Sequence, residues 1–249
     1  MTRLVRAELA KLRTTRTVPA LLAAMAAFAA LTVYLNLTSA GTQGNLPLSA
    51  FSLARLVPAP ASMLTGVMLL VGILGMAGEF RHQTITGTFL VTPNRGRVVA
   101  AKLAAHGLVG LAFAIVTVAV TVAVAAPWLA AEGVSVAPTA QLGRALTGIL
   151  ATAGLYGTLG VAIGALVRNQ LAAVAVAITW LLVVEGLLIV LLRAPGLYRW
   201  LPGGASDALT GAHPDGTLLP MWGGALLLAA YALALAAIAT RLTVRRDIT

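Results

Sequence analysis

The stretch LGRALTGILATAGLYGTLGVAIGALVRNQLAAVAVAITWLLVVEGLLIVLL, residues 142–192, decides the fold. Its only charged residues are Arg144, Arg168 and Glu185. An α-helix rises ~1.5 Å per residue, so about 20 apolar residues cross ~30 Å of hydrocarbon. This stretch is more than twice that long, and Arg168-Asn169-Gln170 interrupts it near the middle. It reads as two membrane-crossing helices joined by a tight hairpin.

Working outward, comparable apolar runs fall at 18–37, 61–77, 103–126 and 222–242, beside 142–167 and 171–192. Six spans in one transmembrane domain are expected over residues 1–249. The totals agree: 59% of the chain is hydrophobic and only 10% charged, against roughly 25% charged in soluble domains. So few charges cannot cover a water-facing surface. The ~10-residue alternation of a membrane β-barrel is absent from the sequence. The fold class is therefore an all-α integral membrane protein.

The net charge of +10 sits in short clusters between apolar runs, as topology signals do, and nucleic acid is not an expected partner. With the N-terminus cytoplasmic, the inner segments hold Arg3, Arg6, Lys11, Arg13, Arg16, Arg81, Arg95, Arg97, Lys102, Arg168, Arg241, Arg245 and Arg246. The outer ones hold Arg55, Arg144, Arg193 and Arg199, a bias of thirteen to four. Both termini are then cytoplasmic, which requires an even number of spans. A cleaved secretory signal is the poorer reading of the N-terminus, because an apolar run of about 20 residues exceeds the usual signal core of about 7–15.

Residues 1–17 are expected to form a basic amphipathic helix at the membrane surface. Val5, Leu9 and Leu12 share one face with Leu4 alongside, and Arg3, Arg6, Lys11 and Arg13 occupy the rest. An ordinary positive flank of the first span fits the same residues. Two connections are longer than turns: an inner loop, 79–102, and an outer loop, 193–221, with Tyr198, Trp200 and Trp222 suited to the headgroup region. The inner loop holds GEFRHQTITGTFLVTPNR, residues 78–95, whose 84–91 portion is too short to span and too apolar to be solvated. It is expected to dock against something.

Chemistry is sparse. The only lysines, Lys11 and Lys102, follow alanines, so no G-x-x-x-x-G-K-[ST] phosphate loop exists here. The expected topology puts His213 on the opposite side from His82 and His106, which argues against a metal site, and no cysteine is present. An enzyme is not expected. Glu185 is the one carboxylate well inside a span. Such a group belongs to a substrate pathway or gate, facing Arg144 or Arg193, or is a structural ion pair or a protonated carboxyl. The sequence leaves these open. Gly160 and Gly164 fit G-x-x-x-G and are expected to serve close helix packing.

Taken together, the opening AELAKLRTTR (7–16), the E-F-R-H-x-T-x-x-x-T-x-L-x-T-P loop (79–93), G-R-V-x-x-A-K (96–102) and R-W-L-P-G-G-A (199–205) resemble the membrane subunit of a type-2 ATP-binding-cassette exporter. The resemblance covers nearly the whole chain. It implies a multi-pass permease in a bacterial-type cytoplasmic membrane, with the inner loop as a coupling helix seated on a cassette ATPase. It also implies short helices dipping into the outer leaflet before the last span. Glu79, Thr84, Thr88 and Pro93 match the family's loop pattern, with Arg81 and Arg95 as neighbouring docking candidates. ATP and Mg would sit on the partner ATPase, with no cofactor on this chain, and a second permease chain would complete the pathway. A self-contained secondary transporter or channel is the alternative. It needs a set of polar residues along the spans, of which Glu185 alone is visible, and matching broken helices in two halves, which the sequence does not show. A membrane enzyme ranks third.

Overall fold

A computed structural model describes residues 1–42, 45–84, 87, 90, 94–192, 195–211 and 217–245. Every regular element among them is helical: α1 (Thr2–Thr14), α2 (Thr17–Thr38), α3 (Leu53–Leu56), α4 (Ala61–Arg81), α5 (Arg95–Ala131), α6 (Ala140–Val167), α7 (Gln170–Thr179), α8 (Glu185–Leu192), α9 (Pro202–Thr210) and α10 (Met221–Arg245). A π-helical segment, Trp180–Val184, joins α7 to α8, and 3₁₀ turns occupy Leu48–Ala50 and Pro195–Trp200. Six of these stretches are long and apolar enough to cross a membrane. The chain is a multi-pass membrane protein.

Local signals explain where the helices break. Asn94 accepts the Arg97 amide at 3.1 Å and starts α5, and Thr139 accepts the Leu142 amide at 3.1 Å and starts α6. Arg168 ends α6 in the left-handed region (φ 57°), its N–H returning to the Gly164 carbonyl, and Asn169 then caps α7 through the Ala172 amide at 3.0 Å. Two residues thereby reverse the chain. The Arg168 guanidinium lies 5.6 Å from the Phe80 ring centroid, tying this hairpin to the end of α4.

Helix α6 is the hub and packs against α4, α5, α9 and α10. Leu64, Met68, Ile149, Ala153, Tyr156 and Leu228 form part of the buried core around it. Close packing here rests on backbone meeting backbone. A Cβ on Gly160 would strike the Leu69 carbonyl oxygen, one on Gly164 would lie 3.0 Å from that of Ile73, and one on Gly72 would reach the backbone of Gly157, Gly160 and Val161. Gly160 and Gly164 thus both sit on the α4–α6 seam, where lipid-solvated helices need small residues to approach. The face of α7, the π segment and α8 is instead open, exposing Leu171, Val176, Leu182, Val190 and Leu191.

Two connections differ from expectation. In the inner one the helices reach in from both sides: α4 continues to Arg81 and α5 begins at Arg95, leaving 82–94 between them. Lys102 therefore lies well inside a helix rather than at the edge of a loop. The connection between α2 and α4 is longer than a turn and folded, with Phe51, Leu53 and Leu56 buried against Val33, Leu37 and Leu129.

Candidate functional site

The end of the bundle carrying the N-terminus, segment 82–94, the 168–169 turn and the end of α10 holds a buried ionic cluster. It is built from three elements. Helix α1 lies against α5 and turns Glu8 and Leu12 inward. The last turn of α4 presents Glu79, and α5 presents Lys102 at the start of its third turn.

Lys102 is fully buried and places its Nζ 2.6 Å from Glu8 Oε2 and 2.7 Å from Glu79 Oε1. Lys11 closes the square, 2.8 Å from Glu8 and 2.9 Å from Glu79. Two carboxylates and two ammonium groups leave the cluster neutral. Dehydrating each ion costs several kcal/mol, and only such short, charge-assisted contacts offset it.

Burial by itself disfavours the Glu8 carboxylate, but Lys102 and then Lys11 outweigh it and hold the group below its usual 4.5. Burial also opposes the charge on Lys11, and its bonds to Glu8 and Glu79 overcome this and raise it above the usual 10.5. The signs fix the pH window. Glu8 contributes stability that is complete above its unfolded value and drains as pH falls through the lowered folded one. Lys11 contributes below its unfolded value and loses that contribution as pH rises through the raised one, weakly, because half its side chain meets solvent.

His106, one turn beyond Lys102 and fully buried, donates its Nδ1–H to the Lys102 carbonyl at 2.8 Å. Its ring fills the space beside Gly75, where any Cβ would collide with Nε2. The four charged residues and this imidazole fix both ends of segment 82–94 to each other and to α1.

The expected docking residues divide accordingly. Glu79 faces inward and belongs to the cluster. Arg81 is exposed and reaches the Gln170 side chain at 3.4 Å, and Thr84 is exposed. Arg95 opens α5, while Thr88 and Pro93 lie outside the described residues. Sequence reasoning passed over Glu8 and the pairing of both lysines. One signal was present: Glu8 is the only acid in an otherwise basic helix, three residues before a lysine.

Glu185 anchors the opposite end of the bundle. It is buried, and its carboxylate accepts the Trp180 indole N–H at 2.7 Å and the Gly203 amide at 3.0 and 3.2 Å. Of the partners raised from sequence, Arg144 is exposed, and Arg193 lies outside the described residues. The π segment places Trp180 and Glu185, five apart, on one face. Glu185 thus caps α9, whose Pro202 stands at the first helical position.

The same hairpin is held by Tyr156 Oη on the Pro202 carbonyl at 2.9 Å, Tyr231 Oη on that of Trp200 at 2.6 Å, and Tyr198 Oη on Asp207 at 2.6 Å. Burial, followed by the neighbouring carboxylate of Asp207, pushes the Tyr198 phenol far up, so it stays a donor. A Cβ on Gly204 would strike the Tyr198 carbonyl, which explains the Gly-Gly after Pro202.

Replacing Glu185 with Gln leaves one acceptor and turns an amide N–H₂ toward a donor. The expected cost is about 1–3 kcal/mol, the range for a mismatched buried hydrogen bond. Amide hydrogen exchange over 202–210 should accelerate while the α1–α5 contact keeps its protection. Unchanged exchange would show that the carboxylate does not hold this hairpin.

Among the described residues no group of three His, Cys, Asp or Glu side chains could hold a metal. Six apolar spans, a neutral ionic staple under one connection and a capped hairpin at the far end make up a multi-pass membrane protein. The chain belongs to the ABC-2 family of transporter proteins, whose family description, ABC-2 family transporter protein, matches residues 4–185. It is therefore an ABC permease and not itself catalytic. The match runs from α1 through the ionic cluster to Glu185. Among curated proteins, none matches the sequence.

Proposed function

We propose that the chain is the permease of an ATP-driven exporter, coupled through segment 82–94 to separate cassette ATPase subunits that carry ATP and Mg. The observation that supports this is the ionic staple. Glu79 and Lys102 clamp the two ends of the segment, and Glu8 and Lys11 extend the clamp to α1, which runs into α2. A push on the segment would reach α4, α5 and α1 together. Glu79 then positions the segment, and Arg81, Thr84, Thr88, Pro93 and Arg95 remain the residues for contact with the ATPase.

The bias of thirteen basic residues to four supports a cytoplasmic location for this end, in a bacterial-type cytoplasmic membrane. Six spans supply half of a pathway, so a second permease chain, identical or similar, completes it. The apolar face of α7 and α8 is open for that purpose or for lipid.

The test is co-expression with the cassette ATPase encoded beside this chain, purification through a tag on the permease, and assay of ATP hydrolysis. A stoichiometric ATPase is expected, lost when residues 84–91 are deleted while the spans still insert. Equal ATPase recovery from the deletion variant, or none from the native chain, contradicts the coupling assignment.

A further inference from the structure

Helix α1 carries more positive charge than the ionic cluster uses. Arg3, Arg6 and Arg13 of α1, and Arg16 just beyond its end, are exposed, and none has a carboxylate partner among the described residues. The only acid of α1, Glu8, is buried and committed to Lys102 and Lys11. At ~100° per residue, Arg3, Arg6 and Arg13 fall within about 80° of one another, roughly opposite the Glu8–Leu12 face that docks on α5. Val5 and Leu9 lie between these faces on one side, next to Arg13, and Leu4 lies on the other; all three are only partly covered by the chain. Only Thr15 and Arg16 separate α1 from α2, so the helix is held where the first span enters the membrane.

We propose that the arginine face of α1 is a binding surface for the phosphate headgroups of anionic phospholipids in the adjoining leaflet. Two features select lipid over an acidic protein. An apolar arc beside a basic arc matches acyl chains beside phosphates, as in interfacial helices. A soluble partner on the arginines alone would leave Leu4, Val5 and Leu9 half wet. The cation type agrees: both lysines of the chain sit in the ionic cluster, and the exposed charges of α1 are otherwise guanidinium groups, whose planar fork pairs with phosphate through two hydrogen bonds.

The test uses the full chain, reconstituted into vesicles of equal parts phosphatidylglycerol and phosphatidylcholine. It is then re-extracted in detergent, and the retained lipids are quantified by mass spectrometry. The native chain should retain phosphatidylglycerol in several-fold excess, reduced by salt, with each arginine contributing about fivefold or less. The R3Q/R6Q/R13Q/R16Q variant should lose most of that excess. Should it misfold, Arg6→Gln and Arg13→Gln read separately give the same answer in smaller steps. Equal retention of both lipids by the native chain, or undiminished excess in the folded variants, overturns the proposal. Loss of a co-purified cassette ATPase from the variant with lipid retention unchanged assigns the face to protein instead.

Discussion

Replacing Lys102 with Met should destabilise the protein by about 3–5 kcal/mol, the range for breaking a buried ion pair from one side. Met keeps the length and apolar stem of lysine, so the packing around a fully buried side chain changes little. What changes is charge. Glu8 and Glu79 are left close together at the end of the bundle with only Lys11 to balance them, and half of the Lys11 side chain faces solvent. Lowered thermal unfolding in detergent and faster exchange of the α1 amides are the expected readouts. The triple variant Glu8→Gln, Glu79→Gln, Lys102→Met separates charge from shape. Neutral replacements of whole buried ion clusters are often tolerated, so it should recover much of the loss. A triple variant as unstable as Lys102→Met alone would assign the effect to packing.

The second large effect is expected at Gly72. A Cβ there would collide with the Gly157 carbonyl oxygen and lie 2.7 Å from Val161 N and 2.8 Å from Gly160 Cα. All three are backbone atoms of α6, so no side chain can swing aside and the helices must separate. Overpacking of this kind costs about 1–3 kcal/mol and sometimes more. Gly72→Ala should therefore lower the unfolding temperature, although alanine is the better helix former by about 1 kcal/mol. Gly78→Ala in the same helix is the control, since nothing lies within 4 Å of its Cβ position. It should be neutral or stabilising. Equal behaviour of the two variants would mean that the α4–α6 seam is looser than its geometry indicates.

The six spans were legible because the bilayer demands one thing of each, about 20 apolar residues, and composition reports that directly. The hairpin at Arg168 and Asn169 was legible for the same reason, as a polar break in an overlong run. The ionic cluster was not. Lys102 stands 94 residues from Glu8 and 23 from Glu79 along the chain, and only the packing of α1 and α4 around the start of α5 brings the three together. Lys102 read as a flank of the third span because the apolar run begins at Leu103, whereas Asn94 starts the helix nine residues earlier. Glu185 was recognisable as buried, yet its partners were not, since a π segment aims Trp180 at it and a distant Gly203 supplies a backbone amide that no residue pattern advertises.

The most direct test of the account is whether α1 and the clamp under segment 82–94 move as one body. The chain has no cysteine, so two can be introduced without background, at the exposed Ala10 of α1 and Arg97 of α5, and spin-labelled. Label distances would be measured in the complex with the ATPase, with and without bound ATP. The account predicts one narrow distance that ATP leaves unchanged in the native chain and that broadens in Lys102→Met. A distance that shifts on ATP binding in the native chain would show that α1 slides independently of the segment, and would contradict it.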